Sequence, residues 1–175
     1  MLTIDVAVFA VLITGPPAGK TSVLTALVDA LSDDGIAHAG IEVEMLEWAH
    51  PALTNEQWTR HLHTMCELYR EAGHRLLLIA HTVETGEDLA RLLGAVDAEQ
   101  HFLVRLEAQA ATLVERIIER EPASWSGLSG LVAHAQELAM TMPALSGVDL
   151  VVSTEGQTPE AVAERIRAAR PDQLA

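Results

Sequence analysis

The 175-residue chain carries a formal net charge of −14, and 49% of its residues are hydrophobic. A chain of this length suits one domain with a substantial core, and its low fraction of charged residues argues against disorder. The negative charge argues against a nucleic-acid or anionic-membrane partner, because both partners require a basic patch.

The N-terminal segment 1–14, MLTIDVAVFAVLIT, is apolar but too short to span a bilayer, and it contains Asp5. It also lacks the basic start of a secretory signal. We predict a strand over residues 5–13 that is buried on both faces. The lone Cys66 allows no intrachain disulfide and suits a reducing environment, so we expect a cytoplasmic protein.

After the first strand, apolar residues recur at helical spacing up to Gly35, namely Val23, Leu24, Leu27, Val28 and Leu31. Further strands are predicted at 36–45, 74–82, 101–107 and 148–154. Further helices are predicted at 54–72, opened by a Thr54–Gln57 capping box and stopped by Gly73, and at 85–94, 108–120, 131–142 and after Thr158-Pro159. Alternating strands and helices predict one α/β domain over 1–175 with a parallel sheet covered on both faces.

The segment TGPPAGKTS at 14–22 approximates the pattern of Gly, four residues, then Gly-Lys-Ser/Thr, with Thr14 in the first position. It lies between the predicted strand and helix, where backbone N–H groups and the helix dipole form an anion site. Thr14 is expected to be tolerated, because Gly15 can take the unusual conformation. The predicted nucleotide-binding residues are Gly15, Pro16, Pro17, Ala18, Gly19, Lys20, Thr21 and Ser22.

Lys20 is the single lysine among eleven basic residues. We expect it to contact the β- and γ-phosphates of ATP or GTP as a catalytic cation, and the Thr21 hydroxyl to bind Mg²⁺. A compact ammonium reaches between phosphates where a planar guanidinium fits less well.

The loop sequence VLITGPPAGKTSVLTAL is similar, without a gap, to that of chloramphenicol phosphotransferase-like and related small-molecule P-loop kinases. The resemblance implies a three-layer P-loop NTPase fold whose five-stranded parallel sheet has the order 2-3-1-4-5. It further implies Mg²⁺-dependent transfer of phosphate from ATP or GTP to a hydroxyl group of a small molecule.

These kinases place an acidic residue at the end of the second strand as a general base or Mg²⁺ holder. Here Glu42 and Glu44 are two apart, hence on one side of an extended strand. Glu44 takes the position of the family's acidic residue, which implies a catalytic base beside the substrate. Glu42, with Thr21, is the predicted metal residue, and the open alternatives are that Glu44 takes the metal or that metal binding is weakened. The alternative is a strand end that faces solvent. The end of the third strand, LLLIAHTVET, lacks the Asp that P-loop enzymes often use for Mg²⁺.

Arg116 and Arg120 are four apart on a predicted helix. The pair resembles the R-x-x-x-R of adenylate-kinase-like enzymes, which implies that Arg116 packs on the base while Arg120 reaches phosphate as a catalytic residue. The alternative is a surface pattern with Glu115 and Glu119. The following segment, 121–130, is predicted to form a short lid anchored by Trp125.

The acceptor is expected between the end of the second strand and the helix at 54–72, in a cleft lined by Trp48, His50, Trp58 and His81. Among these, Trp48 and His81 are the predicted substrate residues. Two other candidates are rejected, because His61 and His63 point to different helix faces, and Cys66 lies in an apolar helical stripe.

Three functions remain open. The first is a small-molecule kinase, and the second is a nucleotide-binding regulatory or resistance protein without phosphotransfer. The third, a partner-binding protein with a vestigial loop, is disfavoured because Lys20 and Thr21 are retained.

Overall fold

The computed structural model describes residues 7–17 and 19–174. Its strands form one five-stranded sheet. They are β1 (Phe9–Thr14), β2 (Ala39–Glu42), β3 (Leu76–Ala80), β4 (Gln100–Glu107) and β5 (Leu150–Ser153).

The α-helices in this part of the chain alternate with the strands, and a short 3-10 helix, Met142–Ala144, precedes β5. They are α1 (Lys20–Asp33), α2 (Val43–Leu46), α3 (Asn55–Glu71), α4 (Gly86–Val96), α5 (Ala110–Arg120), α6 (Leu128–Thr141), α7 (Pro159–Ala169) and α8 (Pro171–Leu174).

All strand pairs are parallel, and the order β2-β3-β1-β4-β5 confirms the predicted topology. The first strand is central, with Ile13 beside Ala80 of β3 and Val104 of β4. Because the strands are parallel, their carboxyl ends meet at one edge of the sheet. The loop after β1 therefore lies beside the segments that follow β2, β3, β4 and β5, which is where ligands bind in open α/β sheets.

The central strand has a core on each side. Val11 and Ile13 pack in a core that includes Leu27 of α1, whereas Leu12 packs in a second core that includes Leu62 of α3. This alternation explains why β1 reads as a continuous apolar run in the sequence. Full burial of a leucine such as Leu62 adds ~1.5–3 kcal/mol to the free energy of unfolding. The helices packed on both faces therefore hold the edge of the sheet in a fixed position.

Most predicted elements are present with shifted ends. The Thr54–Gln57 capping box opens α3, and the Thr158 side chain caps α7. The first strand begins at Phe9, while residues 5 and 6 of the predicted strand lie outside the described residues. The prediction of a loop over 121–130 is partly wrong, because α6 begins at Leu128. The terminal helix α8 was not predicted.

The largest difference concerns the predicted strand at 36–45. The β2 strand covers only Ala39–Glu42, and the helix α2 follows at once. Strand β2 pairs only with β3, whose last strand residue, Ala80, lies opposite Glu42, so a longer β2 would have no partner. The good helix formers that follow then make a helical turn. The prediction that Glu44 lies on an extended strand is therefore wrong.

Within the part of the chain that the structure describes, no helix is both long enough and apolar enough to cross a membrane.

Candidate functional site

The loop between β1 and α1 depends on two glycines. Gly15 has φ +149° and Gly19 has φ +94°, both in the region that side chains disfavour. A Cβ atom on Gly15 would lie 2.6 Å from the carbonyl oxygen of Leu106, so this position also has no room for a side chain. Gly15 thus fulfils the conformational role that the sequence pattern gives to its first glycine. Ala18 lies outside the described residues.

Thr14 stands where the pattern has its first glycine, yet it has ordinary strand backbone and ends β1. Its side chain is buried, and its hydroxyl oxygen accepts a hydrogen bond from the buried N–H of Val83 at 2.9 Å. Thr14 therefore fastens the start of the loop to the segment after β3.

Lys20 is the first residue of α1, and its side chain is 8% exposed. Its Nζ donates to the carbonyl oxygen of Gly15 at 3.2 Å and lies 3.8 Å from Oε1 of Glu44. Burial lowers the pKa of Lys20, the carboxylates of Glu44 and Glu42 oppose this shift, and Arg120 adds to it. A largely buried ammonium whose nearest carboxylate neighbour among the described residues lies 3.8 Å away is suited to meet an anion at the loop.

Glu42 and Glu44 both face the loop, but not because they lie on the same side of one extended strand, as the sequence predicted. Glu42 ends β2, and its Oε2 accepts a hydrogen bond from the Thr21 hydroxyl at 2.7 Å. Glu44 lies in the first turn of α2, and its Oε1 accepts a hydrogen bond from the Thr82 hydroxyl at 2.8 Å. The end of β2 thus places the Glu42 carboxylate beside Thr21, and the first turn of α2 places the Glu44 carboxylate beside Lys20.

The carboxylate of Glu42 is not fully satisfied. Its Oε1 is buried and has no hydrogen-bond partner of standard geometry among the described residues. Burial raises the pKa of Glu42, the hydrogen bond from Thr21 partly offsets this, and the charge of Glu44 adds to it. An unpartnered buried carboxylate oxygen beside a threonine hydroxyl is a suitable donor set for a hard cation such as Mg²⁺.

A cleft of about 550 Å³ opens in front of these side chains. The loop and the first turn of α1 line one side, and the inner face of α6 lines the other. The face of α6 that lines the cleft includes His134, and the remaining lining residues are Glu44, Thr82, Glu84 and Arg120. The segment after β3 is tied to α6 by Glu84, whose Oε1 lies 3.1 Å from Nε2 of His134.

A second cavity of about 230 Å³ lies beside Gly19 and Ser22. Arg116 lines it, and its guanidinium donates to the hydroxyl and carbonyl oxygens of Thr154 at 2.8 and 2.9 Å. Both bonds fix the plane of the guanidinium beside the cavity. Arg116 is thus held by the segment after β5, which does not fit the alternative of a simple surface pattern with Glu115 and Glu119.

Arg120 lies one turn further along α5 and is exposed. Its Nε donates to Oε1 of Glu121 at 2.7 Å, and the side chain lines the larger cleft. The Arg116/Arg120 pair therefore spans both cavities. Trp125, the predicted lid anchor, packs over Gly127 at the start of α6 and remains partly exposed.

The predicted acceptor residues are not all brought to the cleft. Trp48 is 79% exposed and does not line it, and Trp58 lies on the buried face of α3 in the core. His81 packs on the Trp58 ring with centroids 5.2 Å apart, and burial lowers its pKa. None of these three residues lines the cleft, so the prediction that they form the acceptor site is not supported by this geometry.

Two further sequence interpretations concern metal and thiol chemistry. Among residues 7–17 and 19–174, no group of three or more His, Cys, Asp or Glu side chains is arranged to hold a metal. Cys66 is buried in the core, and burial raises its thiol pKa to about 11. The thiol is therefore protonated and unreactive at neutral pH.

Sequence reasoning missed several residues of the two cavities. Thr82 lies two residues after β3 and Thr154 directly follows β5, and a hydroxyl residue at the carboxyl end of a parallel strand was the available signal. His134 gave no comparable signal, since it lies in the middle of α6 and reaches the cleft only through helix packing.

No protein-family model matches the chain, and no curated protein matches it either. Its structure is nevertheless similar to those of several kinases. An unliganded sugar kinase from Janibacter sp. HTCC2649 has a TM-score of 0.66 at 18% identity, covering 97% of this chain and 99% of the other. The Mycobacterium tuberculosis APS kinase, in complex with AMPPNP and APS, has a TM-score of 0.63 at 16% identity, covering 93% and 97%.

A gluconokinase from Sinorhizobium meliloti gives a TM-score of 0.59 at 19% identity, covering 93% of this chain and 94% of the other. These neighbours share the parallel sheet flanked by helices. The chain therefore has the fold of the P-loop small-molecule kinases.

Proposed function

We propose that this protein is a nucleotide-dependent phosphotransferase that moves the γ-phosphoryl group of ATP to a hydroxyl group of a small molecule. One observation carries the proposal: Lys20, Thr21 and Glu44 line one cleft beside a loop shaped by two glycines, and Glu42 accepts a hydrogen bond from Thr21. A cation, a hydroxyl and two carboxylates are the groups that phosphoryl transfer uses.

The nucleotide occupies both cavities. Its phosphates lie on the backbone N–H groups of the loop and at the N-terminus of α1, where the helix dipole favours negative charge. Lys20 supplies the main side-chain cation. The base enters the smaller cavity against Arg116, whose plane is fixed by Thr154 and is free to stack on a ring. Arg116 is the charged residue among those that line the smaller cavity, and it does not distinguish ATP from GTP, so the turnover test below uses both.

Thr21 and Glu42 fit the role of magnesium holders. The Thr21 hydroxyl is exposed toward the cleft, and the buried Oε1 of Glu42 lacks a partner among the described residues. When bound, Mg²⁺ neutralises charge on the transferred phosphoryl group.

Glu44 takes the proton from the acceptor hydroxyl. It lines the cleft, it is half-exposed, and one of its oxygens lies 3.8 Å from Nζ of Lys20. Arg120 lines the same cleft and adds positive charge near the transferred group. The acceptor lies between Glu44 and the face of α6 that lines the cleft, close enough to the loop to meet the γ-phosphate.

The test is nucleotide consumption by the purified protein with ATP or GTP, Mg²⁺ and a panel of nucleosides, neutral sugars, sugar acids and amino sugars. We expect phosphorylated product, detected by mass spectrometry, from at least one acceptor class. The Lys20→Ala variant is the control for contaminating kinases. Tight nucleotide binding without product on any acceptor would instead favour a nucleotide-binding protein without phosphotransfer.

A second prediction concerns Glu42. We expect Glu42→Gln to lower the Mg²⁺ affinity of the nucleotide complex by about 10- to 100-fold, so that more Mg²⁺ is needed to reach the same nucleotide affinity. This is the usual effect of removing a group that orients metal ligands. Calorimetric titrations with ATP at graded Mg²⁺ concentrations measure this effect. Glu47→Gln is a matched control, because burial also raises the pKa of Glu47 although it does not contact Thr21.

The same variant has a predicted stability signature. Because the pKa of Glu42 is raised in the folded state, its ionisation opposes folding at pH 7. Glu42→Gln should therefore stabilise the magnesium-free protein in urea unfolding at pH 7. This gain should shrink as the pH falls and vanish below the unfolded Glu value of about 4.3, where the carboxyl is protonated in both states. In the calorimetric titrations, a Mg²⁺ dependence that is unchanged in Glu42→Gln would show that Glu42 does not hold the metal.

A further inference from the structure

Two features of the sequence depart from the pattern of P-loop kinases: Thr14 replaces the first glycine of the loop, and no aspartate follows β3. The structure connects them. Thr14 Oγ1 accepts the N–H of Val83 at 2.9 Å, and the adjacent residue, Thr82, donates its hydroxyl to Oε1 of Glu44 at 2.8 Å. The same Oε1 faces Nζ of Lys20.

We propose that Thr14 and Thr82 are positioning residues that together hold the Glu44 carboxylate beside Lys20. Thr14 fixes the backbone of the segment after β3, and Thr82 transmits that position to the carboxylate. The catalytic meaning of this arrangement rests on the proposed phosphotransferase function. The contacts themselves do not depend on it.

The distances decide which group holds Glu44. At 3.8 Å, the ammonium of Lys20 is too far from Oε1 for a hydrogen bond, whereas the hydroxyl of Thr82 is at 2.8 Å. Glu44 lies on α2, a helix of four residues, which has little stability of its own. A half-exposed carboxylate on such a turn needs an external donor to keep one rotamer. The hydrogen bond from Thr82 occupies Oε1, so the acceptor proton is taken up at Oε2.

Thr14 has a corresponding role in the backbone. The N–H of Val83 is buried, and a glycine at position 14 would leave it without this acceptor. Buried N–H groups are rarely left unpaired, so the segment that contains Thr82 would shift to find another partner. The hydroxyl of Thr14 thus supports the segment from which Thr82 reaches Glu44.

The single lysine of the chain allows a direct test without turnover. Protein grown with lysine labelled at 13Cε gives one lysine side-chain NMR signal, which belongs to Lys20. The charged groups near Lys20 are Glu42, Glu44 and Arg120, so the spectra are compared at one pH without nucleotide or Mg²⁺. Glu44→Gln sets the signal position expected when the carboxylate charge is lost.

We expect Thr82→Val to displace the Lys20 signal toward the position of Glu44→Gln, and Thr82→Ser to leave it at the wild-type position. Thr14→Val should displace it in the same direction and Thr14→Ser should not. In the Glu44→Gln background, Thr82→Val should add no further displacement. Thr82→Ala serves as a second variant if Thr82→Val fails to fold, as judged by circular dichroism.

Three results would overturn the proposal. The signal could stay at the wild-type position in Thr82→Val, it could fail to move in Glu44→Gln, or Thr82→Val could displace it equally in the Glu44→Gln background. The last result would indicate a general distortion of the site rather than an effect through Glu44.

Kinetics supply a second readout once an acceptor is found. We expect Thr82→Val to lower kcat on the order of 10- to 100-fold with an unchanged KM for the nucleotide, as for a misplaced reacting group, and Thr82→Ser to restore it. An unchanged kcat would overturn the positioning role while the phosphotransferase function stands. Absence of turnover in the wild type would overturn the proposed function and leave the NMR result to decide the positioning.

Discussion

Replacing Glu44 with Gln is expected to lower phosphoryl-transfer turnover by about 10²- to 10⁴-fold, the usual effect of removing a general base. The amide keeps the size of the carboxylate and can still accept the hydrogen bond from Thr82 through its oxygen. It cannot take up the acceptor proton at neutral pH. Nucleotide affinity should change little, because the loop and Lys20 supply those contacts. Steady-state kinetics and calorimetry on the same preparation measure both quantities.

The matched control is Glu84→Gln. Glu84 lines the same cleft, and its replacement removes the same charge, but its carboxylate faces His134 rather than Lys20. We expect this variant to retain most of the turnover. If excess Mg²⁺ restores part of the Glu44→Gln rate, Glu44 also helps to position the metal. Wild-type turnover in Glu44→Gln would exclude both roles and make Glu42 the next candidate.

The second large effect is expected for Lys20→Ala, which should weaken ATP binding by on the order of 1.5–3 kcal/mol, as for a lost charge-assisted hydrogen bond. This corresponds to roughly a 10- to 150-fold rise in Kd. The effect should be large because the ammonium is already buried at the loop, so its desolvation is complete before the nucleotide arrives. Calorimetry with ATP and a non-hydrolysable analogue measures the change.

Two variants sharpen the Lys20 prediction. Arg60→Ala removes a cation from an exposed ion pair with Glu56 on α3 and should leave Kd unchanged. Lys20→Arg restores the charge but should not restore the affinity, because a planar guanidinium does not fit the space of an ammonium. Equal affinity in wild type and Lys20→Ala would contradict the proposed placement of the phosphates.

The sequence predicted the local parts of this site well. The loop at 14–22 was recognisable because its strand, glycines and helix are contiguous in the chain. The expectation that Gly15 takes the unusual backbone conformation after Thr14 is confirmed by its positive φ. By contrast, the extended strand predicted through Glu44 is wrong, because the length of β2 depends on where its neighbour β3 ends. The predicted roles of the site residues remain predictions.

The sequence by itself determined most of the helices and strands, since periodicity, capping boxes and glycine stops act between residues a few positions apart. It also determined the phosphate-loop motif and its single lysine. Only the tertiary structure decided which side chains meet in the cleft. Thr82 reaches Glu44 across 38 residues, Val83 reaches Thr14 across 69, and His134 reaches Glu84 across 50. The first two contacts arise because a parallel sheet gathers the ends of distant strands at one edge, and the third arises from the packing of α6. No local pattern in the chain encodes any of them.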